Sequence, residues 1–125
     1  MLWPHLTVQD VDATLAFYRD RLGFEQDLCL KDHRGTFMGS VEVGDTVIMF
    51  ERPDPSKPAV PGRGRLADIG LTILFPSSFD LDAFFAELRG KDIPTFREIG
   101  NRPYGNRDFA VLDPDGYCLV FAKAI

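Results

Sequence analysis

The stretch Arg102-Pro-Tyr-Gly-Asn-Arg-Asp-Phe-Ala-Val-Leu-Asp-Pro-Asp-Gly-Tyr-Cys-Leu-Val-Phe-Ala122 reads as a β-hairpin that ends the fold. Asn106 to Leu112 runs as a strand into a turn in which Asp113 can cap its own backbone, Pro114 presets φ and Gly116 tolerates φ > 0. Tyr117 to Ala122 then returns as the partner strand. Counted across a four-residue loop, Phe109 stands opposite Val120 and Arg107 opposite Ala122, so these residues share a face.

Working outward, Thr95 to Ile99 leads back into this hairpin, and before it lies a helix opened by Asp80. Its apolar residues Leu81, Phe84, Phe85 and Leu88 fall at i, i+3, i+4 and i+7, and Gly90 ends the run. Ala67 to Phe75 is the strand ahead of it, with Leu71, Ile73 and Phe75 on one face and Gly70, Thr72 and Leu74 on the other. Arg52 to Arg65 carries four prolines and two glycines, too many breakers for a helix or a central strand, and reads as a linker.

The N-terminal half repeats this order. Trp3 to Val8 is a strand with Leu6 and Val8 on one face and Trp3, His5 and Thr7 on the other. Asp10 caps a helix whose stripe Val11, Leu15, Tyr18 and Leu22 ends at Gly23. The start Asp10-Val-Asp-Ala13 matches Asp80-Leu-Asp-Ala83, and both helices follow a strand and precede short strands, which points to an internal duplication. Glu25 to Lys31 is a strand, and His33 sits in a polar turn where an exposed, inert role is expected. Gly44-Asp45 then joins Thr36–Val43 to the next strand by a two-residue loop, which pairs Val43 with Thr46. That pairing puts Phe37, Gly39, Val41, Ile48 and Phe50 on a helix-packing face. Met38, Ser40, Glu42, Val47, Met49 and Glu51 fall on the other, a mixed face suited to lining a cavity.

At 125 residues the chain can bury a core without staples. Fourteen basic against 19 acidic residues give −5, with no basic stripe, which disfavours nucleic acid as a partner. No apolar run approaches the roughly 20 residues that a bilayer requires, and no charged-then-apolar leader opens the chain, so a cytoplasmic protein without membrane contact is expected. Two cysteines, Cys29 and Cys118, in strand-like runs read as buried free thiols. Nucleotide-binding, nucleophile-elbow and CxxC signatures are absent.

Asp113-Pro-Asp-Gly-Tyr117 after Phe109-Ala-Val-Leu112, together with Val8-Gln-Asp-Val-Asp-Ala-Thr-Leu-Ala-Phe-Tyr-Arg-Asp-Arg-Leu-Gly-Phe24, resembles the vicinal oxygen chelate superfamily of glyoxalases, bleomycin-resistance proteins and extradiol dioxygenases. The resemblance implies an α+β fold of two βαβββ modules forming paired curved mixed sheets around a cavity. The whole chain, 1–125, would be one such domain, with module 1 over about 1–52, a linker over 53–66 and module 2 over about 67–125. It also implies a homodimer. Metal-dependent members hold a divalent ion with His and Glu from four strands. The matching positions here are Trp3, Met49, Gly70 and Val120, none of them His or Glu. No metal and no other cofactor is therefore expected, and the character is closest to the metal-free bleomycin-resistance branch.

That resemblance assigns a ligand-binding set of Trp3, His5, Met38, Met49, Glu51, Tyr104, Arg107, Phe109 and Val120, with Arg102 on the same rim as Tyr104. The competing reading makes Phe109 core and Arg102 and Arg107 solvated charges. The leading function is metal-free binding or sequestration of an aromatic or amphipathic compound, an antibiotic being one candidate. The alternatives are a metal-free isomerase or lyase using His5 or Glu51, and a subunit whose cavity is vestigial.

Overall fold

The computed structural model describes residues 2–54, 56 and 70–125. The chain divides into two compact units, Met1–Arg63 and Gly64–Ile125. Most of the expected linker, and residues 67–69 of the strand expected from Ala67, lie outside the described residues.

The first unit runs β1 (His5–Thr7), α1 (Val11–Ala16), a π-helical stretch (Phe17–Arg21), β2 (Glu25–Asp32), β3 (Gly35–Val43) and β4 (Thr46–Glu51). Asp10 accepts a hydrogen bond from the Ala13 N–H at 3.0 Å, satisfying one orphan donor of the helix start. The stripe Val11, Leu15, Tyr18 and Leu22 is buried throughout, and Gly23 closes the helix with φ +81°. The i, i+4 spacing gave no sign of the π widening, in which Leu22 N–H reaches back to the Phe17 carbonyl.

The sheet order is β1-β4-β3-β2, with β1 parallel to β4 and the other pairs antiparallel. Val43 pairs with Thr46, as the two-residue loop demands, so Met38 faces Glu51 and Ser40 faces Met49. Val41, Ile48 and Phe50 are buried beneath the helix, where the Phe50 and Tyr18 rings meet at 4.7 Å. A side chain at Gly39 would place its Cβ 2.6 Å from Leu15 Cδ1, so glycine lets α1 lie directly on β3. β1 begins at His5 rather than Trp3, because Pro4 has no N–H for the ladder; its carbonyl still accepts from Met49 at 2.8 Å.

The second unit repeats the plan: β5 (Gly70–Phe75), α2 (Leu81–Gly90), β6 (Thr95–Asn101), β7 (Asn106–Leu112) and β8 (Cys118–Ala124), in sheet order β5-β8-β7-β6. β5 is parallel to β8, as β1 is to β4, and Asp80 caps α2 through Ala83 N–H at 3.0 Å, as Asp10 caps α1. The α+β fold of two βαβββ modules is thus present, and the matched topologies extend the duplication seen in the two Asp-capped helix starts.

The register of β7 on β8 corrects the sequence reading by one residue. Asp113 N–H bonds the Tyr117 carbonyl at 3.0 Å, leaving a three-residue loop with Gly116 at φ +96°. A type I turn followed by a left-handed glycine has this form. Phe109 therefore faces Phe121, not Val120, and Arg107 faces Lys123, not Ala122. A one-residue slip exchanges the two faces of a strand. Phe109 joins the core, fully buried among Phe84, Phe85 and Phe121 with ring centroids 5.0–6.0 Å away. The two thiols also part company: Cys118 is buried, whereas Cys29 is exposed on β2.

Candidate functional site

Each unit packs its helix on one face of its sheet, and the opposite face is called the open face because no helix of the same unit lies on it. On the first, parallel pairing sets His5 beside Met49 and Thr7 beside Glu51, and Met38 adjoins Glu51 from β3, so four of the expected ligand-binding residues share one face. Ser40 on that face is buried, its hydroxyl accepting from Leu28 N–H at 3.1 Å where β2 bulges away from β3. Trp3 stands two residues ahead of His5, outside the strand and 54% exposed.

At the Glu51 end of the sheet a partly open cleft of about 430 Å³ takes in both faces, lined by Met38 and Glu51 of this face, by Phe37 of the helix-packing face, and by Arg52 and Asp32, among others. Arg52 organises its wall. Its guanidinium lies 5.7 Å from the centre of the Phe37 ring and forms a two-pronged pair with the Asp32 carboxylate. Hydrogen bonds from Arg52, then from the Arg34 N–H, lower the Asp32 carboxyl to about 2. The cleft thus joins apolar surface from Phe37 and Met38 to charge of both signs.

The open face of the second sheet carries Val120, flanked by Thr72 from β5 and Ala110 from β7. The corrected register brings Asp108 onto it and turns Arg107 and Phe109 to the helix side. Arg107 there pairs with Asp82 of α2 at 2.6 and 3.0 Å. Asp108 is 1% exposed. It accepts from Arg102 Nε at 2.7 Å, from the Tyr104 hydroxyl at 2.7 Å and from Arg97 at 3.0 Å. Burial pushes its carboxyl up, but these hydrogen bonds and the two guanidinium charges outweigh burial and hold it below the usual range. Of the expected set, Tyr104 and Val120 lie on this side; Asp108 and Arg97 were missed. A three-residue reading of Asp113-Pro-Asp-Gly-Tyr, with glycine left-handed, sets Asp108 opposite Ala122, but the same residues also fit a four-residue loop, and nothing in that turn points to Arg97 on β6.

The residues present do not fit a divalent ion. Trp3, Met49, Gly70 and Val120 occupy the positions where the resemblance would place ligands, and among the described residues no three His, Cys, Asp or Glu side chains converge. The first face carries the thioethers of Met38 and Met49 beside Glu51, and the second carries Tyr104 with the Asp108–arginine cluster.

Two sheets of matching order, β1-β4-β3-β2 and β5-β8-β7-β6, each backed by one Asp-capped helix, define the class as a duplicated βαβββ protein. The profile of the Glyoxalase/Bleomycin resistance protein/Dioxygenase superfamily matches residues 2–121, and the chain belongs to that superfamily. No curated protein sequence matches. Among solved structures the chain is similar to TioX from Micromonospora sp. ML1, at 18% identity and TM-score 0.76, covering 99% of this chain and 98% of that one. It is similar also to a lactoylglutathione lyase from Agrobacterium tumefaciens, at 22% identity and TM-score 0.76, with 98% and 92% covered. A third is TnmS3, an antibiotic binding protein from Streptomyces sp. CB03234, at 21% identity and TM-score 0.72, with 98% and 93% covered. At these identities the likeness is one of fold. No helix is long and apolar enough to cross a membrane among the described residues.

Proposed function

We propose that this chain is a cytoplasmic, homodimeric protein that binds an aromatic or amphipathic small molecule without a metal. The carrying observation is the cleft of about 430 Å³ at the Glu51 end of the first sheet, where Phe37 and Met38 offer apolar contact from the sheet's two faces beside Glu51 and the Arg52–Asp32 pair. Such a mixture of flat apolar wall and few polar groups orients a small organic ligand. The likeness in fold to an antibiotic binding protein supports an antibiotic-like compound as one candidate. Leu74 and Phe96, both more than half exposed, support a second copy of the chain as a partner.

The test is a calorimetric comparison of planar ligands that differ only in charge. Glu51→Gln weakens binding of the cationic ligand about tenfold and leaves the neutral analogue within about twofold, since one charge-assisted contact is lost. Met38→Ala weakens both about three- to tenfold through lost apolar burial. Ligands whose affinity ignores both substitutions would show that the cleft is not where they bind.

A further inference from the structure

We propose that the open face of the second unit binds an aromatic carboxylate, at a site built by Arg97, Arg102 and Tyr104 around the buried Asp108. The site stands on residues of the second unit alone and does not rest on the cleft of the first. Its foundation is an imbalance of charge: two guanidinium groups share one carboxylate that is 1% exposed. Arg102 is committed to the frame. Its Nε bonds Asp108, its Nη2 bonds the Glu98 and Asp108 carbonyls, and its guanidinium lies over Gly100, where an added Cβ would come within 3.4 Å of Nη1. Arg97 is held to Asp108 by Nη2 while 43% of its side chain remains exposed. The surplus positive charge therefore sits at the solvent side, on a planar fork matched to a carboxylate. The nearest acid on the same strand, Glu98, is engaged by Arg89 at 3.3 Å.

The aromatic part follows from Tyr104. Its hydroxyl is fixed on Asp108 at 2.7 Å, yet the residue is 63% exposed, so the ring is a stacking surface whose ordering is complete before a ligand arrives. Beside Asp108 on β7 and β8 the neighbours are small and apolar, Ala110 and Ala122 being buried and Val120 partly exposed. Against a chain of net charge −5, this is a local surface that recruits anions.

Benzoate, benzamide and inorganic phosphate are the probes, titrated against the full chain by amide and arginine side-chain NMR. Benzoate gives saturable shifts at Arg97 and Tyr104, benzamide at least about tenfold weaker ones, and phosphate displaces benzoate only in large excess. Arg97→Gln weakens benzoate about tenfold or more, with an unchanged amide fingerprint because Arg102 and Tyr104 still satisfy Asp108; Arg97→Lys falls between. Equal affinity for benzoate and benzamide, or wild-type affinity in Arg97→Gln, overturns the site. Phosphate competing as well as benzoate overturns its aromatic half.

Discussion

Asp108 shows why a carboxylate can be left in the interior of a small sheet. Its two oxygens receive a phenol and two guanidiniums, so burial is compensated by charge-assisted bonds. Asp108→Asn keeps the shape but leaves two arginines facing a neutral amide, and costs about 2–3 kcal/mol at neutral pH. The pH dependence follows in sign. A carboxyl held below its ordinary value near 3.8 stabilises the fold above that value and loses the effect as pH falls through the lower folded one. Urea midpoints of wild type and Asp108→Asn should thus differ at pH 7 and converge as pH falls through the lowered folded value. A gap that stays constant with pH would mean that the ionised form carries none of the stabilisation. In the first unit, a carbon-detected titration should find Asp32 ionised down to about 2, and Arg52→Gln should move it back up.

Between elements, contact depends on what is small enough to permit it. α1 rests on β3 because Gly39 has no Cβ to meet Leu15. Gly39→Ala overpacks that crossing and costs about 1–2 kcal/mol, read as a lowered melting temperature, and trimming Leu15 to Val should recover part of the loss. In the other unit α2 rests on phenylalanines, with Phe84 and Phe85 against Phe109 and Phe121. Phe109→Ala removes a fully buried ring and costs about 3–5 kcal/mol, which a denaturant titration measures directly. A loss under about 1 kcal/mol would return Phe109 to the open face and revive the four-residue loop.

For the whole molecule, the expected assembly is a homodimer, so light scattering behind a sizing column should report about twice the chain mass at micromolar concentration. A monomer there would count against the second copy as partner. Elemental analysis of protein purified without chelator should find no stoichiometric Ni, Zn, Mn or Fe, since Trp3, Met49, Gly70 and Val120 cannot supply a hard or borderline ligand set. One tightly held metal per chain, lost on changing His5 or Glu51, would refute the metal-free reading.

Local chemistry was legible in the residues themselves. Asp10 and Asp80 announced both helices, the stripe from Val11 to Leu22 announced its burial, and Gly44-Asp45 set the β3–β4 register because a two-residue loop admits one pairing. The resemblance carried by Asp113-Pro-Asp-Gly-Tyr117 led to the superfamily. What the sequence left open was the β7–β8 register, because that pentapeptide fits either a three- or a four-residue loop. Only packing of Phe109 against Phe84, Phe85 and Phe121 chooses between them. The choice carried Arg107 to the helix side and Asp108 to the open face. The cluster of Arg97, Arg102, Tyr104 and Asp108 spans a strand, a loop and a second strand, and no spacing along the chain marks it. It exists because a buried carboxylate draws donors from whichever elements the tertiary fold brings within hydrogen-bond reach.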